Sequence, residues 1–203
     1  MPDLGLPGAG ATPRAAAPAD GTERQRLVEG FVAVAAERGY PETTIFQVIE
    51  AAGVTKKSFY HHFDSLEECF VSAYEQGAAR IAALMLTAHE AHEDRAEGVG
   101  AALGVLLEVL AAERPFTRLA FVEVNAAGPA VRAVRARCLA SLVEFLGRYG
   151  ASAEILEASV GGVYSSIWLR AEAGRLDSLP ALLPSLTQFV LVSINRKEND
   201  VTQ

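Results

Sequence analysis

The stretch TTIFQVIEAAGVTKKSFYHHFDSLEECF, residues 43–70, contains three helix-start signals and one sharp turn. Thr44 stands three residues before Gln47, the spacing of a capping box, so a helix is expected from there to about Ala51. Gly53, inside Ala52-Gly53-Val54, suits the left-handed backbone of a tight turn. Thr55 then caps a short helix reaching about His62, and Ser65 with Glu68 opens a further one. Val48, Ile49, Val54 and Phe59 are the apolar positions that would lock the first pair together. Helix, glycine turn and short helix is the helix-turn-helix plan.

Lys56, Lys57, Tyr60 and His61 are left outward on the short helix as two i,i+4 pairs, with Ser58 and His62 at its flanks. Two of the chain's three lysines are here, and the helix carries no acidic residue. Such a surface suits the major groove, where ammonium groups reach guanine edges or phosphate oxygens. A merely solvated polar face is the competing reading; the preceding helix, the turn and an upstream helix argue against it. That upstream helix is expected to start at Thr22, with Gln25 in capping-box spacing, and to place Leu27, Phe31, Val34 and Ala35 on one face. Gly39 and Pro41 end it.

The rest of the 203 residues support an all-α fold: half are hydrophobic, Gly and Pro act as punctuation, and neither strand alternation nor an internal repeat is visible. Breaks are expected at Gly98/Gly100, Pro115, Gly128-Pro129, Gly147/Gly150, Gly174 and Pro180. The net charge of -7 is unevenly placed: residues 24–63 hold five Lys/Arg against four Asp/Glu, and residues 64–203 hold twelve against eighteen. The acidity therefore belongs to the body, and local charge is what a phosphate feels. Cys69 and Cys138 form no CxxC or Cys/His cluster, which points away from a disulfide framework or zinc and toward a reducing cytoplasm. Residues 1–22, rich in Ala, Gly and Pro, lack the pattern of a secretory signal; they and residues 198–203 are expected to be disordered tails. The most apolar run, 182–194, is interrupted by Pro184, Ser185, Thr187, Gln188 and Ser193, so a soluble protein without a membrane partner is expected.

Residues 43–70 resemble the DNA-binding signature of TetR-family regulators, and the likeness extends over 24–76. It implies a three-helix helix-turn-helix domain over 23–70 and a larger helical ligand-binding and dimerisation domain over 71–197. Lys56, Lys57 and Tyr60 would approach bases, and Thr44, Ser58, His61 and His62 would hold phosphates, with Thr55 at the helix start. Two positions depart from the family. Leu66 stands where many members carry a phosphate-gripping lysine, leaving backbone N–H groups to serve, and Phe46 occupies a position that is often polar. The stretch PFTRLAFVEVNAAGPAVRAVR and the helix around Gly161-Gly162 resemble the C-terminal regions of some TetR-like proteins. By that resemblance, helices near 153–173 and 179–197 would pair with their symmetry mates in a four-helix bundle. Gly161, Gly162, Ser165 and Ser166 permit close approach, and Leu182, Leu186, Phe189 and Val190 form an apolar stripe.

A pocket between the middle helices is expected to draw on Met85, Phe116, Phe121, Glu123, Asn125, Phe145 and Trp168, and the apolar body suggests a hydrophobic or amphipathic effector. His89, Glu90, His92 and Glu93 could ligate a metal, but no further ligands complete a set, and Asp94, Arg95 and Glu97 suggest a solvated helix end before a loop at Gly98. No cofactor is expected. Arg132, Arg135 and Arg137 read as a solvated basic face. With no nucleophile elbow or phosphate-binding glycine loop, an enzyme is not expected. The expected function is a homodimeric, ligand-responsive repressor on a palindromic operator. A helical adaptor or an unrecognised small helical enzyme are the alternatives.

Overall fold

The computed structural model describes residues 20–195, with side chains from Glu23 onward. Among these residues there is no strand. The chain runs through α1 (Asp20–Arg38), α2 (Ile45–Ala52), α3 (Lys56–His62), α4 (Leu66–Glu90), α5 (Arg95–Ala112), α6 (Arg114–Phe121), α7 (Pro129–Gly147), α8 (Ala153–Glu172) and α9 (Leu183–Asn195). Short 3₁₀ turns precede α2, α7 and α9. Helix α1 starts at Asp20, two residues before the expected cap at Thr22, so 20–22 join a helix instead of a tail; helix ends shift this easily. The remaining tail residues, 1–19 and 198–203, lie outside the described residues.

The N-terminal caps form as their spacing demands. Thr44 Oγ1 accepts from the Gln47 N–H at 3.3 Å and Gln47 Oε1 accepts from the Thr44 N–H at 2.8 Å. Thr55 Oγ1 accepts from the Ser58 N–H at 3.1 Å, and Ser65 Oγ from the Glu68 N–H at 3.2 Å. Gly53 sits at φ 62°, ψ 38°, the left-handed region, which lets its N–H turn back to the Glu50 carbonyl and end α2.

These caps set α1–α4 around Phe31, Phe59, Phe63 and Phe70, all essentially without exposed surface. Phe31 meets Phe70 with ring centroids 5.4 Å apart, and Tyr40 meets Phe70 edge-on at 5.1 Å. Each such ring contributes about 1.5–3 kcal/mol of burial. The same core continues into Leu119 and Ala120 of α6, Val124 beyond it, and Val131 and Val134 of α7. A second core joins α5, α8 and α9 through Leu103, Leu107, Leu110, Leu156, Ile167, Leu186 and Val190. Helix α4 serves both, with Phe70 and Tyr74 in the first and Ile81 in the second, and it passes residue 70 without a break.

Three expectations for the body are corrected. Gly98 and Gly100 do not break the chain; both lie inside α5, which is capped by Asp94, whose Oδ1 accepts from the Ala96 and Glu97 N–H groups at 2.8 and 2.9 Å. Gly98 is instead a packing residue, because a Cβ there would stand 2.9 Å from the His89 carbonyl oxygen. The helix expected over 179–197 begins at Leu183: Pro180 and Pro184 interrupt regular hydrogen bonding, and two 3₁₀ turns lead into it. Residues 176–195 are, by length and composition, apolar enough to cross a membrane, contrary to the sequence reading, which treated the polar interruptions as decisive. Here Leu176, Leu179, Leu186, Val190 and Ile194 face the second core, and Asp177 pairs with Arg114 at 2.6 Å.

Burial beside α1 raises the Cys69 thiol to about 12, with Arg24 opposing and Glu68 adding to the rise. The thiol donates to the Leu27 carbonyl at 3.9 Å. Because the unfolded thiol ionises first, near its ordinary value of 9.0, the unfolded state binds fewer protons above that pH and stability falls as pH climbs toward 12. Urea titrations from pH 8 to 11 are expected to show this loss, and Cys69→Ala to lessen it, the half-buried Cys138 and the buried Tyr74, whose ionisation burial also disfavours, keeping the remainder. An unchanged slope in the variant would remove Cys69 as a source.

Candidate nucleic-acid interface and ligand cavity

Helix α3 stands on Phe59, which is fully buried, and turns Lys56, Lys57, Tyr60 and His61 outward. Tyr60 is 48% exposed; its ring meets Phe59 edge-on at 5.5 Å and Lys56 Nζ lies 5.8 Å from its centroid. The four side chains thus share a rigid base. Ser58 and His62 are half-buried at the flanks. The Ser58 hydroxyl donates to Glu23 Oε2 at 2.5 Å, which joins α3 to α1 and commits that proton within the protein. Thr44 and Thr55 are exposed, and their hydroxyls serve as the caps of α2 and α3. Phe46, on the first turn of α2, is 70% exposed. Leu66 packs against the N-terminal core, so this departure from the family pattern has a structural use.

The Arg run of α7 is engaged locally. Arg132 donates to the Ala127 carbonyl, Arg135 to Asn125 Oδ1 at 2.8 Å, and Arg137 to Glu75 Oε1 at 2.9 Å. His89 and His92 also go separate ways: Nε2 of His89 shares a proton with the Tyr149 hydroxyl, and Nδ1 of His92 meets the Ala88 carbonyl at 3.0 Å.

A cavity of about 140 Å³ lies among α4, α5, α6, α7, α8 and α9. Met85, Phe121 and Phe145 line it; Phe116, Glu123, Asn125 and Trp168 do not. The Phe116 ring rests on Gly77, in a groove between α1 and α4. Glu123, Asn125 and Trp168 border a surface cleft near Pro41. His89, Ser159 and Tyr164 also line the cavity and were not recognised as pocket residues in the sequence. Only an orphaned hydrogen bond distinguishes Ser159 from the small residues around it, and that requires coordinates.

Glu123 is 5% exposed. Its Oε2 accepts from the Tyr40 N–H at 2.8 Å and its Oε1 meets Arg118 at 3.2 Å. Tyr40 follows Gly39, whose φ of 88° turns the chain out of α1 toward the helix-turn-helix. Two residues before Glu123, Phe121 lines the cavity and stacks on Tyr164 at 4.9 Å. Residues 121–123 therefore join the cavity wall to the Tyr40 N–H, at the entry to the helix-turn-helix.

Of the residues expected at a dimer interface, Gly161 opens to free space, Ser165 is exposed, Leu182 is half-buried and Phe189 is 43% exposed. Leu186 and Val190 turn into the second core, and Gly162 receives the Phe189 ring within the same chain. Leu169 and Val192 join the exposed apolar surface of α8 and α9 at 54% and 61%.

Residues 27–73 match the family described as "Bacterial regulatory proteins, tetR family". The match runs from within α1 to the first turns of α4, so this N-terminal domain is similar to the one that defines those regulators. It is 36% identical over 59 residues to the HTH-type transcriptional repressor AcnR of Corynebacterium efficiens, covering 29% of this chain and 31% of that protein. The AcnR of Corynebacterium glutamicum matches to the same extent. The chain thus spans about a third of the length of these relatives. The fold is that of the fatty acid degradation regulator FadR from Bacillus halodurans, with a TM-score of 0.74 at 19% identity over 83% of this chain and 94% of that one. FadR from Bacillus subtilis, in complex with stearoyl-CoA, gives 0.73 at 15% identity over 83% and 98%.

Removing the Glu123 carboxylate strands the Tyr40 N–H and leaves Arg118, which is half exposed, to water. Glu123→Ala is expected to lower stability by about 1–3 kcal/mol in urea unfolding, and Glu123→Gln, which keeps an acceptor, by less. Equal stability of Glu123→Ala and the parent would show that the pair adds nothing.

Proposed function

We propose that the chain is a homodimeric transcriptional repressor of the bacterial cytoplasm that binds a palindromic operator and leaves it when a small hydrophobic effector enters the cavity. The observation that carries this reading is the acid-free, outward face of α3, held on a capped and packed helix pair. Lys56, Lys57 and Tyr60 reach base edges, and Thr44, Thr55, His61 and His62 approach the phosphates. Ser58 contributes through its bond to Glu23 by fixing α3 against α1. The repressor relatives and the stearoyl-CoA of the B. subtilis neighbour support repression and an apolar ligand.

Dimerisation uses the exposed face of α8 and α9, where Leu169, Phe189 and Val192 stand beside Gly161 and Ser165. A two-fold dimer places two α3 helices about one DNA turn apart, roughly 34–36 Å, and ties operator symmetry to protein symmetry. Ligand in the cavity displaces Phe121 and, through Glu123 and Tyr40, the angle of the reader. By linkage the effector must favour the DNA-free form by the factor with which it weakens operator binding.

Selection of duplexes from a random pool is expected to return a palindrome whose binding weakens steeply with salt. Recovery of no sequence, or of an asymmetric one, would overturn the reading. On that duplex Lys57→Ala is expected to cost about 1–3 kcal/mol and to relax preference at one base pair. A uniform loss across sequences would make Lys57 a phosphate contact. Val192→Glu is expected to bring the mass in solution from twice the 21.5 kDa chain to that of one chain, and to weaken operator binding with it.

A further inference from the structure

Resting on the ligand-responsive reading above, we infer that the effector is a compact, neutral, largely apolar molecule of about six to eight heavy atoms whose single hydroxyl bonds Ser159. Size comes first. The cavity holds about 140 Å³; an apolar cavity of about 150 Å³ takes up benzene, whereas pockets for drug-sized ligands start at about 300 Å³. Charge comes second. Among the described residues His89 is the one ionisable base that lines the cavity, and no Lys, Arg, Asp or Glu lines it, so nothing on that wall would neutralise a phosphate or an ionised carboxylate.

The hydroxyl follows from Ser159. This side chain is fully buried and its Oγ has no hydrogen-bond partner. Serines in helices ordinarily return the hydroxyl to a carbonyl one turn back, as Ser166 does to Gly162 at 2.9 Å and Ser193 to Phe189 at 2.9 Å. Ser159 makes no such bond. A buried hydroxyl left without a partner is costly, and an apolar residue would fit this position at lower cost unless a ligand completes the bond. On the same lining His89 carries a second buried, unpartnered atom, Nδ1, while its Nε2 is taken by Tyr149. A ligand hydroxyl can donate and accept, so it can satisfy Ser159. Met85, Phe121, Phe145 and Tyr164 supply the apolar and aromatic walls around the rest of the molecule.

Phenol and benzene differ by that one oxygen and both suit the volume, which makes them the probes. In titrations of the full chain followed by NMR, phenol is expected to bind about tenfold or more tightly than benzene. Ser159→Ala is expected to keep benzene binding within about twofold, which verifies the fold and the cavity, and to reduce the phenol advantage below about threefold. Equal affinity of the two probes for the parent chain, binding of neither, or an unchanged phenol preference in Ser159→Ala would each overturn the inference. Stearoyl-CoA serves as a long, charged comparison. If it releases the selected duplex and phenol does not bind, the effector class is wrong and the regulator stands. If no duplex is bound at all, the regulator fails while the phenol and benzene titrations still judge the cavity.

Discussion

A carboxylate taken out of water must find partners, and Glu123 finds them on both sides of a joint. One oxygen holds the Tyr40 N–H, just past the end of α1, and the other holds Arg118 on α6. The Arg118 side chain is half exposed, so the pair is anchored in the core at one end and hydrated at the other. That arrangement avoids the full desolvation of two charges and still fixes α6 against the N-terminal domain. Around it the two hydrophobic cores come together: Leu119 and Ala120 belong to the first, while Phe121 packs against both and lines the cavity. Any movement of α6 is therefore felt by the chain segment that leads into α2.

The N-terminal domain was legible because its signals are local. Thr44 with Gln47, Thr55, and Ser65 ahead of Glu68 each determine a helix start within one turn of chain, and Gly53 takes the left-handed backbone that few other residues adopt easily. The outward face of α3 follows once Phe59 is known to point inward. None of this depends on distant residues. The start of α1 was less legible, since a Thr two residues inside the helix offers the same cap chemistry as a true cap.

The body was less legible because its positions are decided by how helices cross. Gly98 reads as a breaker in isolation, yet its use is to let α5 approach His89. Phe116 and Trp168 look like pocket aromatics, but Phe116 fills the space that Gly77 leaves on α4, and Trp168 borders the cleft near Pro41. Leu186 and Val190 lie on the same stripe as Phe189, and only the rotation of α9 sends those two inward while Phe189 stays partly exposed. Ser159 gave no signal at all, being one small residue among several; its missing hydrogen bond is a property of the packed protein.

The size of the cavity also constrains how the proposed switch can work. Moving a two-state equilibrium from 1:99 to 99:1 takes about 5.5 kcal/mol of differential binding. The best small ligands gain about 1.5 kcal/mol per heavy atom, so seven atoms supply at most roughly 10 kcal/mol in total. More than half of the binding energy must then distinguish the two forms, instead of adding affinity to both. A ligand can do that only where the wall it touches differs between the states. Phe121 is placed to couple cavity and joint: it stacks on Tyr164 beside the cavity, and Glu123, which holds the Tyr40 N–H, follows two residues later. In the switch proposed above, a small effector changes operator binding only as far as displacing Phe121 shifts the equilibrium between the two forms, because differential binding is the whole source of the effect.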